Sequence, residues 1–455
     1  MIKMSDELYI SFLFPPANFV SGITVSKRIV ENNSNVDVLQ VKTKNQIDEF
    51  NQMIDGHVDE RIIVELDNNN DGLEGIFEFV EKGLKAINRD YEKIYSRSWF
   101  MANHFLAFEY KFLNPEVYWK AEFSDPLRLT MKNNVKNFPQ MKITDERYIK
   151  KLNNKITDFN EKNHTDFPLI ENQTYAYFIA EYMVYLFADE IIFTNANQRD
   201  VMLDRFPVDI KNIVLDKSVI SPHPTLPNEF YHADEIDLDL DDNCINIAYF
   251  GNDYYGSRHF EGIYYALNTL KHEHIDKIKF YLFINDKSLL KTLTNDFDNV
   301  IIKKPLSYLE FLNATTEFDV LLVNDADTSK YFDKNPYLPS KLSDYLGSGS
   351  DIWAIYEKDS SLSHVNVKYK SRINDYSDIR STLIEILDDH GYCDDDYSFD
   401  DSYIAKRFTD LNVIIEKEHL RKNKFKNKFE AEKEKNNKSS SSDSKINKFF
   451  KTLKK

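Results

Sequence analysis

The run Pro339-Ser340-Lys341-Leu342-Ser343-Asp344-Tyr345-Leu346-Gly347-Ser348-Gly349 concentrates the residue types that could do chemistry. Lys341 and Asp344 are three residues apart, so on a helix both project from one face. An ammonium there can neutralise phosphate, and a carboxylate can accept both hydroxyls of a ribose. Pro339 precedes the expected helix, and Ser340 is placed to cap it. The same pair would equally make an ordinary ion pair on a solvated face. Gly251 is the second candidate. It closes the apolar stretch Ile245 to Phe250 and opens a loop, Asn252 to Ser257, before Arg258 begins a helix. A strand, a glycine loop and a basic residue at a helix start suit a diphosphate, because free amides and the positive helix end face the anion. An ordinary strand-to-helix turn would read the same way.

The chain has only 11 glycines. Five follow expected strands: Gly22, Gly251, Gly256, Gly347 and Gly349. Backbone that approaches a phosphate or sugar closely, or turns with positive φ, needs positions without a Cβ. No aspartate pair stands directly after a strand in a metal-binding pattern; Asp394-Asp395-Asp396 and Asp325-Ala326-Asp327 lie in polar, loop-like stretches. No metal and no separate cofactor is therefore expected, with protein cations doing the work a divalent ion does elsewhere. His104, His164, His223 and His259 are candidate acid–base groups, and His104, on an expected helix over 100–112, is the best placed. A lone histidine is more often structural.

These residues need elements to hold them. Short apolar runs predict strands at 8–14, 36–41, 61–66, 93–96, 117–122 and 190–194, separated by helical patterns at 75–87, 100–112 and 171–187. A Pro- and acid-rich linker follows, and a second alternating series predicts strands at 244–250, 278–284, 300–302, 320–323 and 352–355. Helices are expected between them at 258–271, 286–296, 308–314 and 340–346. Alternation of this kind predicts two doubly wound parallel sheets, with ligands outside the carboxyl ends of their strands in a cleft between them. The expected division is 1–220, a linker at 221–243, a second domain at 244–402, a helical segment at 403–435 and a basic tail at 436–455.

Composition narrows the class. At 455 residues, 42% apolar and 14% aromatic, the chain can build two packed cores. Cys244 and Cys393 lie far apart without metal-ligand spacing, so a disulfide framework is excluded and a reducing interior expected. A net charge of −17 argues against nucleic acid as a partner. No leader pattern and no apolar stretch long enough to span a bilayer are found, which predicts a cytoplasmic protein. From Arg421 to Lys455, thirteen Lys and Arg face four Asp and Glu, interleaved with Phe425, Phe429, Phe449, Phe450 and Leu453. That tail suits an anionic membrane surface, and it also fits a solvated, disordered end.

At these residues the chain resembles the retaining glycosyltransferases of family four and their GT-B relatives. Pro339 to Gly349, followed by Asp351-Ile352-Trp353-Ala354-Ile355, is similar to the family's P-S-K-L-x-E-Y-x-A-S-G-K-P-I-L-A segment. Tyr249-Phe250-Gly251 with Arg258-His259-Phe260-Glu261 resembles the opening of its donor domain. Ala188 to Asn195 with Gln198-Arg199-Asp200, Ile94 to Trp99 and Trp119 to Pro126 resemble its N-terminal motifs.

The resemblance implies a GT-B fold and transfer of a sugar, with retention, from a nucleotide diphosphate donor, a UDP-sugar before a GDP-sugar. It implies that Gly22 lies at the sugar-phosphate end of the donor and that Arg258 and Lys341 hold the diphosphate. Asp344 would bind ribose. Gly251, Asn252, Ser340 and Leu342 complete the donor side, Asp125 stands where relatives often place a histidine at the reaction centre, and Arg97, Trp99 and His104 face the acceptor. Pro336 occupies the place of the family's first glutamate, so Asn335 or Asp327 would serve the donor sugar. The implied acceptor is a cell-surface glycan or its lipid-linked precursor, of the teichoic acid, capsule or exopolysaccharide type in a bacterium, met at the inner face of the membrane. Two other readings stay open: a non-catalytic subunit of the same fold that binds a glycan or partners an enzyme, and a nucleotide-sugar 2-epimerase.

Overall fold

The computed structural model describes residues 5–17, 19–33, 35–44, 47–67, 72–251, 260–284 and 297–393. They form two compact units, the first ending at Leu226 and the second beginning at Pro227. The expected helix over 286–296, the segment 403–435 and the basic tail lie outside the described residues.

The first unit contains β1 (Glu7–Ile10), α1 (Val20–Asn32), β2 (Val36–Val41), α2 (Glu49–Asp55), β3 (Val58–Val64), α3 (Leu73–Ala86), β4 (Lys93–Arg97), α4 (Met101–Leu113) and β5 (Tyr118–Phe123). It continues through β6 (Lys142–Ile143), α5 (Glu146–Asn163), β7 (Thr174–Tyr175), α6 (Ala176–Phe187), β8 (Glu190–Phe193), α7 (Ala196–Leu203), α8 (Val208–Asp216) and β9 (Ser218–Ile220). Seven strands pair in the order β3-β2-β1-β4-β5-β8-β9, all parallel, and β6 and β7 form a small antiparallel pair. Parallel strands covered on both faces need side chains that suit a core on either side, and every residue of β2 is buried.

The second unit contains β10 (Ile245–Phe250), α9 (Glu261–Asn268), α10 (His272–Ile275), β11 (Ile278–Phe283), β12 (Val300–Lys303), α11 (Tyr308–Glu317) and β13 (Val320–Asn324). It ends with α12 (Lys341–Ser348), β14 (Asp351–Tyr356), β15 (Tyr369–Arg372) and α13 (Tyr376–Asp389). Its six strands are parallel, in the order β12-β11-β10-β13-β14-β15. The local signals are conventional. Ser307 and Glu310 form a capping box at the start of α11, and α12 stops where Gly349 adopts φ +85.

Three differences from the expected elements have physical reasons. The apolar run at 8–14 is a strand only as far as Ile10; Phe12 and Phe14 are buried as loop residues, so their apolarity marks the core and not the sheet. Helix α5, which the strand count passes over, buries Tyr148, Ile149, Leu152 and Ile156 from an otherwise polar sequence. Strands β9 and β15 and helix α13 extend the two sheets beyond the expected series.

Candidate active site

In the second unit the chain runs from β10 outward to β11 and β12 on one side, then returns to β13 on the other. The crossovers therefore leave β10 and β13 in opposite directions and open a crevice at the carboxyl ends of these two strands. Gly251 follows β10 directly at φ +144, and its amide donates to the Phe283 carbonyl at 3.1 Å. A side chain at this position would begin 2.9 Å from the Lys341 Nζ and 3.3 Å from the Tyr249 hydroxyl. The positive φ favours glycine here, and the side chain that a Cβ would have to displace is the cation singled out in the sequence.

Lys341 is the first residue of α12. With Tyr249, Asn324, Pro339, Ser340 and Tyr345 it lines a small hollow that opens to solvent. An ammonium at a helix start, beside a glycine-terminated strand, gathers positive potential at one place.

The remaining donor-side expectations divide. Ser340 lines the hollow but makes no side-chain cap; its own backbone is helical, at φ −61 and ψ −29, so the hydroxyl cannot reach forward as a capping oxygen does. Leu342 is buried in the core beside Phe250 and Tyr345. Asp344 is 6% exposed; its Oδ1 accepts from the Tyr308 hydroxyl at 2.9 Å, and its carbonyl accepts from Tyr231 at 2.7 Å. Arg258 and Asn252, with Gly256 and His259, lie outside the described residues.

Asn335 departs from its expected place at the donor sugar. It is fully buried, and its Nδ2 donates to the Ala326 carbonyl at 2.9 Å and to Glu357 Oε2 at 3.2 Å while its Oδ1 accepts from the Tyr337 amide at 2.9 Å. With Thr328 on the same Glu357 carboxylate, it pins the loop between β13 and α12. Burial pushes the Glu357 carboxyl up, and the bonds from Thr328 and Asn335 oppose that. Asp327 accepts from Ser329 and Asn374.

The first unit has its own switch point, between β1 and β4. Asn103 ties the two strand ends together, accepting from the Phe12 amide at 2.7 Å and donating to the Arg97 carbonyl at 2.8 Å. Arg97 ends β4 and is 4% exposed, with Nε on Glu122 Oε1 at 3.0 Å and Nη1 on the Ser21 hydroxyl at 2.9 Å. Arg28 reaches Glu122 Oε2 at 2.9 Å and binds the Ser221 and Pro222 carbonyls at 2.8 and 2.9 Å. The Tyr95 hydroxyl adds a third donor to Glu122 at 2.8 Å. Burial alone would raise the Glu122 carboxyl; Arg28, Arg97 and His223 outweigh it and hold the group at about 2.

His104 is a core residue, which corrects its expected acceptor-side role. It is fully buried, its ring 5.3 Å from Phe123 and 6.2 Å from Trp119, and its Nδ1 lies 2.8 Å from the Ser96 hydroxyl. The same Ser96 oxygen accepts from the Trp119 indole at 2.9 Å. Burial, reinforced by Arg97, drives the His104 pKa down to about 3, so the ring is neutral. Gly22 is also set by packing: a Cβ there would lie 2.4 Å from the Leu13 carbonyl oxygen. Trp99, in contrast, is 46% exposed beside Phe19, ring centroids 5.8 Å apart, and Asp125 is half-buried in the loop after β5. Among the described residues no three His, Cys, Asp or Glu side chains converge as a metal site, and no helix is long and apolar enough to cross a membrane.

Asn324, Glu122 and Arg28 were not singled out in the sequence. Asn324 and Glu122 are polar residues at or near the end of an apolar stretch, which is the signal that could mark them; Arg28, inside α1, carries no such local signal.

Comparison with known proteins adds the fold. No family model matches the chain. A stretch of 67 residues is 37% identical to coatomer subunit gamma of Saccharomyces cerevisiae, but this is 15% of the chain and spans 7% of that protein. Similar solved structures include Anabaena HepE in complex with UDP and glucose, with a TM-score of 0.52 and 9% identity over 85% of this chain and 90% of that one. The UDP-forming α,α-trehalose-phosphate synthase of Burkholderia xenovorans has a TM-score of 0.51 and 9% identity, covering 84% of this chain and 92% of its own. An E. coli trehalose-6-phosphate structure bound with UDP-2-fluoro glucose has a TM-score of 0.50 and 10% identity over 93% and 98%. At such identities the likeness is one of fold, and the chain has the GT-B fold of two Rossmann-like, parallel-sheet domains.

Proposed function

We propose that this chain is a glycosyltransferase that moves a sugar from a nucleotide diphosphate donor, a UDP-sugar before a GDP-sugar, with retention and without a metal. The observation that carries the reading is the Lys341 Nζ held against Gly251 at the β10/β13 switch point. Breaking a glycosyl phosphate bond leaves growing negative charge on the diphosphate, and a preorganised cation at that place lowers the barrier most. Arg258, a few residues after Gly251 in sequence, would add a second cation. HepE is seen with UDP or UDP-glucose and the E. coli structure with UDP-2-fluoro glucose, while the Burkholderia synthase holds glucose-6-phosphate; the first two favour uridine.

Retention would place the attacking hydroxyl on the face the nucleotide leaves, with a phosphate oxygen taking its proton. Asp344, whose Oδ1 accepts from Tyr308, would meet the ribose. Trp99, exposed beside Phe19, offers an aromatic surface for an acceptor sugar, and Arg97 and Asp125 would serve the same side. The acceptor is a cell-surface glycan or lipid-linked precursor of the teichoic acid, capsule or exopolysaccharide type, met at the inner face of the membrane with help from the basic tail.

A second reading, a non-catalytic donor- or glycan-binding subunit, draws on one observation. Pro336 replaces the expected glutamate, and its neighbours Asn335 and Asp327 make bonds within the protein. Incubation with UDP-glucose and a panel of acceptors, with and without a chelator, separates the two. The proposal expects UDP release and an α-linked product unaffected by the chelator. Tight UDP binding with no turnover on any acceptor would support the second reading, and chelator-abolished turnover would sink metal independence.

A further inference from the structure

Asn324 is the last residue of β13 and lines the hollow that holds Lys341. It is 1% exposed, yet neither its Nδ2 nor its Oδ1 has a hydrogen-bond partner among the described residues. Its sequence neighbour Asp325 is held within the protein through Oδ2, which accepts from the Glu357 amide at 2.9 Å. A buried carboxamide left unpaired is costly, and the great majority of buried polar side chains are paired. Asn324 forms part of the wall of the hollow, so a ligand seated there would come against it.

The chemistry of the missing partner follows from the amide. Nδ2 donates and Oδ1 accepts, so the complement must do both. A phosphate only accepts and would be repelled by Oδ1. Lys341, which only donates, suits the phosphate instead. A hydroxyl both donates and accepts. We infer that Asn324 is a specificity-determining residue of the donor site, its carboxamide hydrogen-bonded to a sugar hydroxyl of the molecule whose phosphate Lys341 holds. This rests on the donor-site reading above and adds to it a residue that senses the sugar part of the ligand. The hydroxyl can belong to the ribose or to the transferred sugar.

The test is calorimetric titration of the full chain and of Asn324→Leu, a near-isosteric change, with UDP, UDP-glucose and inorganic pyrophosphate. UDP-glucose should bind the variant more weakly by on the order of tenfold, and pyrophosphate should bind it as it binds the native chain. An equal loss for UDP assigns the hydroxyl to the ribose; undiminished UDP binding assigns it to the transferred sugar. The ligand-free variant should melt at the native temperature or above, because an unpaired buried amide has been replaced by an apolar group of like shape. Asn324→Ala should show the same contrast among the ligands. Unchanged UDP-glucose affinity, an equal loss for pyrophosphate, or a lower ligand-free melting temperature in Asn324→Leu would each overturn the inference. Failure of the native chain to bind either nucleotide would overturn the donor-site reading together with it.

Discussion

At the carboxyl ends of β1 and β4 a buried carboxylate, Glu122, meets two guanidiniums and a phenol; at the carboxyl ends of β10 and β13 a buried carboxamide, Asn324, meets no partner among the described residues. Both places are switch points of doubly wound parallel sheets, where topology opens a crevice whatever the sequence. The first is filled by the protein's own charges, which also tie Ser21 and Ser221 to the sheet edge. The second leaves a hollow, a cation at a helix start and a polar group awaiting partners. A topological opportunity becomes a ligand site only where side chains decline to close it. Under the proposed function, that distinction separates a structural switch point from a binding one.

The largest effect expected from breaking the contrast is at the closed site. Glu122→Gln leaves Arg97 buried without its counter-charge and Arg28 with Glu31 alone, and should cost on the order of 3–5 kcal/mol, read as a fall in the urea midpoint. The pH dependence follows with a definite sign. A carboxyl held at about 2, against 4.5 ordinarily, contributes stability that is complete above about 4.5 and drains away as the pH falls toward 2. The native chain should therefore lose stability over that interval, and the difference between it and Glu122→Gln should shrink as the pH drops.

Lys341→Met attacks the open site. Removing one preorganised cation from the leaving group should lower turnover of a UDP-sugar by about 10²–10³-fold while leaving the urea midpoint near native. Gly251→Ala comes next. The φ of +144 and the 2.9 Å approach to Lys341 should together cost about 1–3 kcal/mol and weaken UDP binding. The smallest change is at Ser340. With no capping bond to lose, Ser340→Ala should shift stability by less than about 0.5 kcal/mol, where a true cap would cost about twice that.

Much of this was readable before any coordinates. The parallel sheets announce themselves as short apolar runs, and Lys341 and Gly251 stand out because a cation after Pro-Ser and a glycine after a strand are local signals. What the sequence hides is tertiary. Whether a polar residue at a strand end is satisfied depends on residues far away in the chain: Glu122 finds Arg28, 94 positions earlier, and Asn324 finds no partner among the described residues. His104 shows the same limit. Its place on a helix suggested chemistry, but the Trp119 and Phe123 rings that bury it come from another element. Helix α5 escaped because four buried positions in a Lys- and Asn-rich stretch make a weak apolar pattern.

Hydrogen exchange of the full chain with and without UDP tests the contrast most directly. Protection should rise at 249–251, 322–324 and 340–343 and stay unchanged at the ends of β1 and β4. Protection confined to 10–14 and 96–99, or absent altogether, would contradict the assignment of the nucleotide to the β10/β13 switch point.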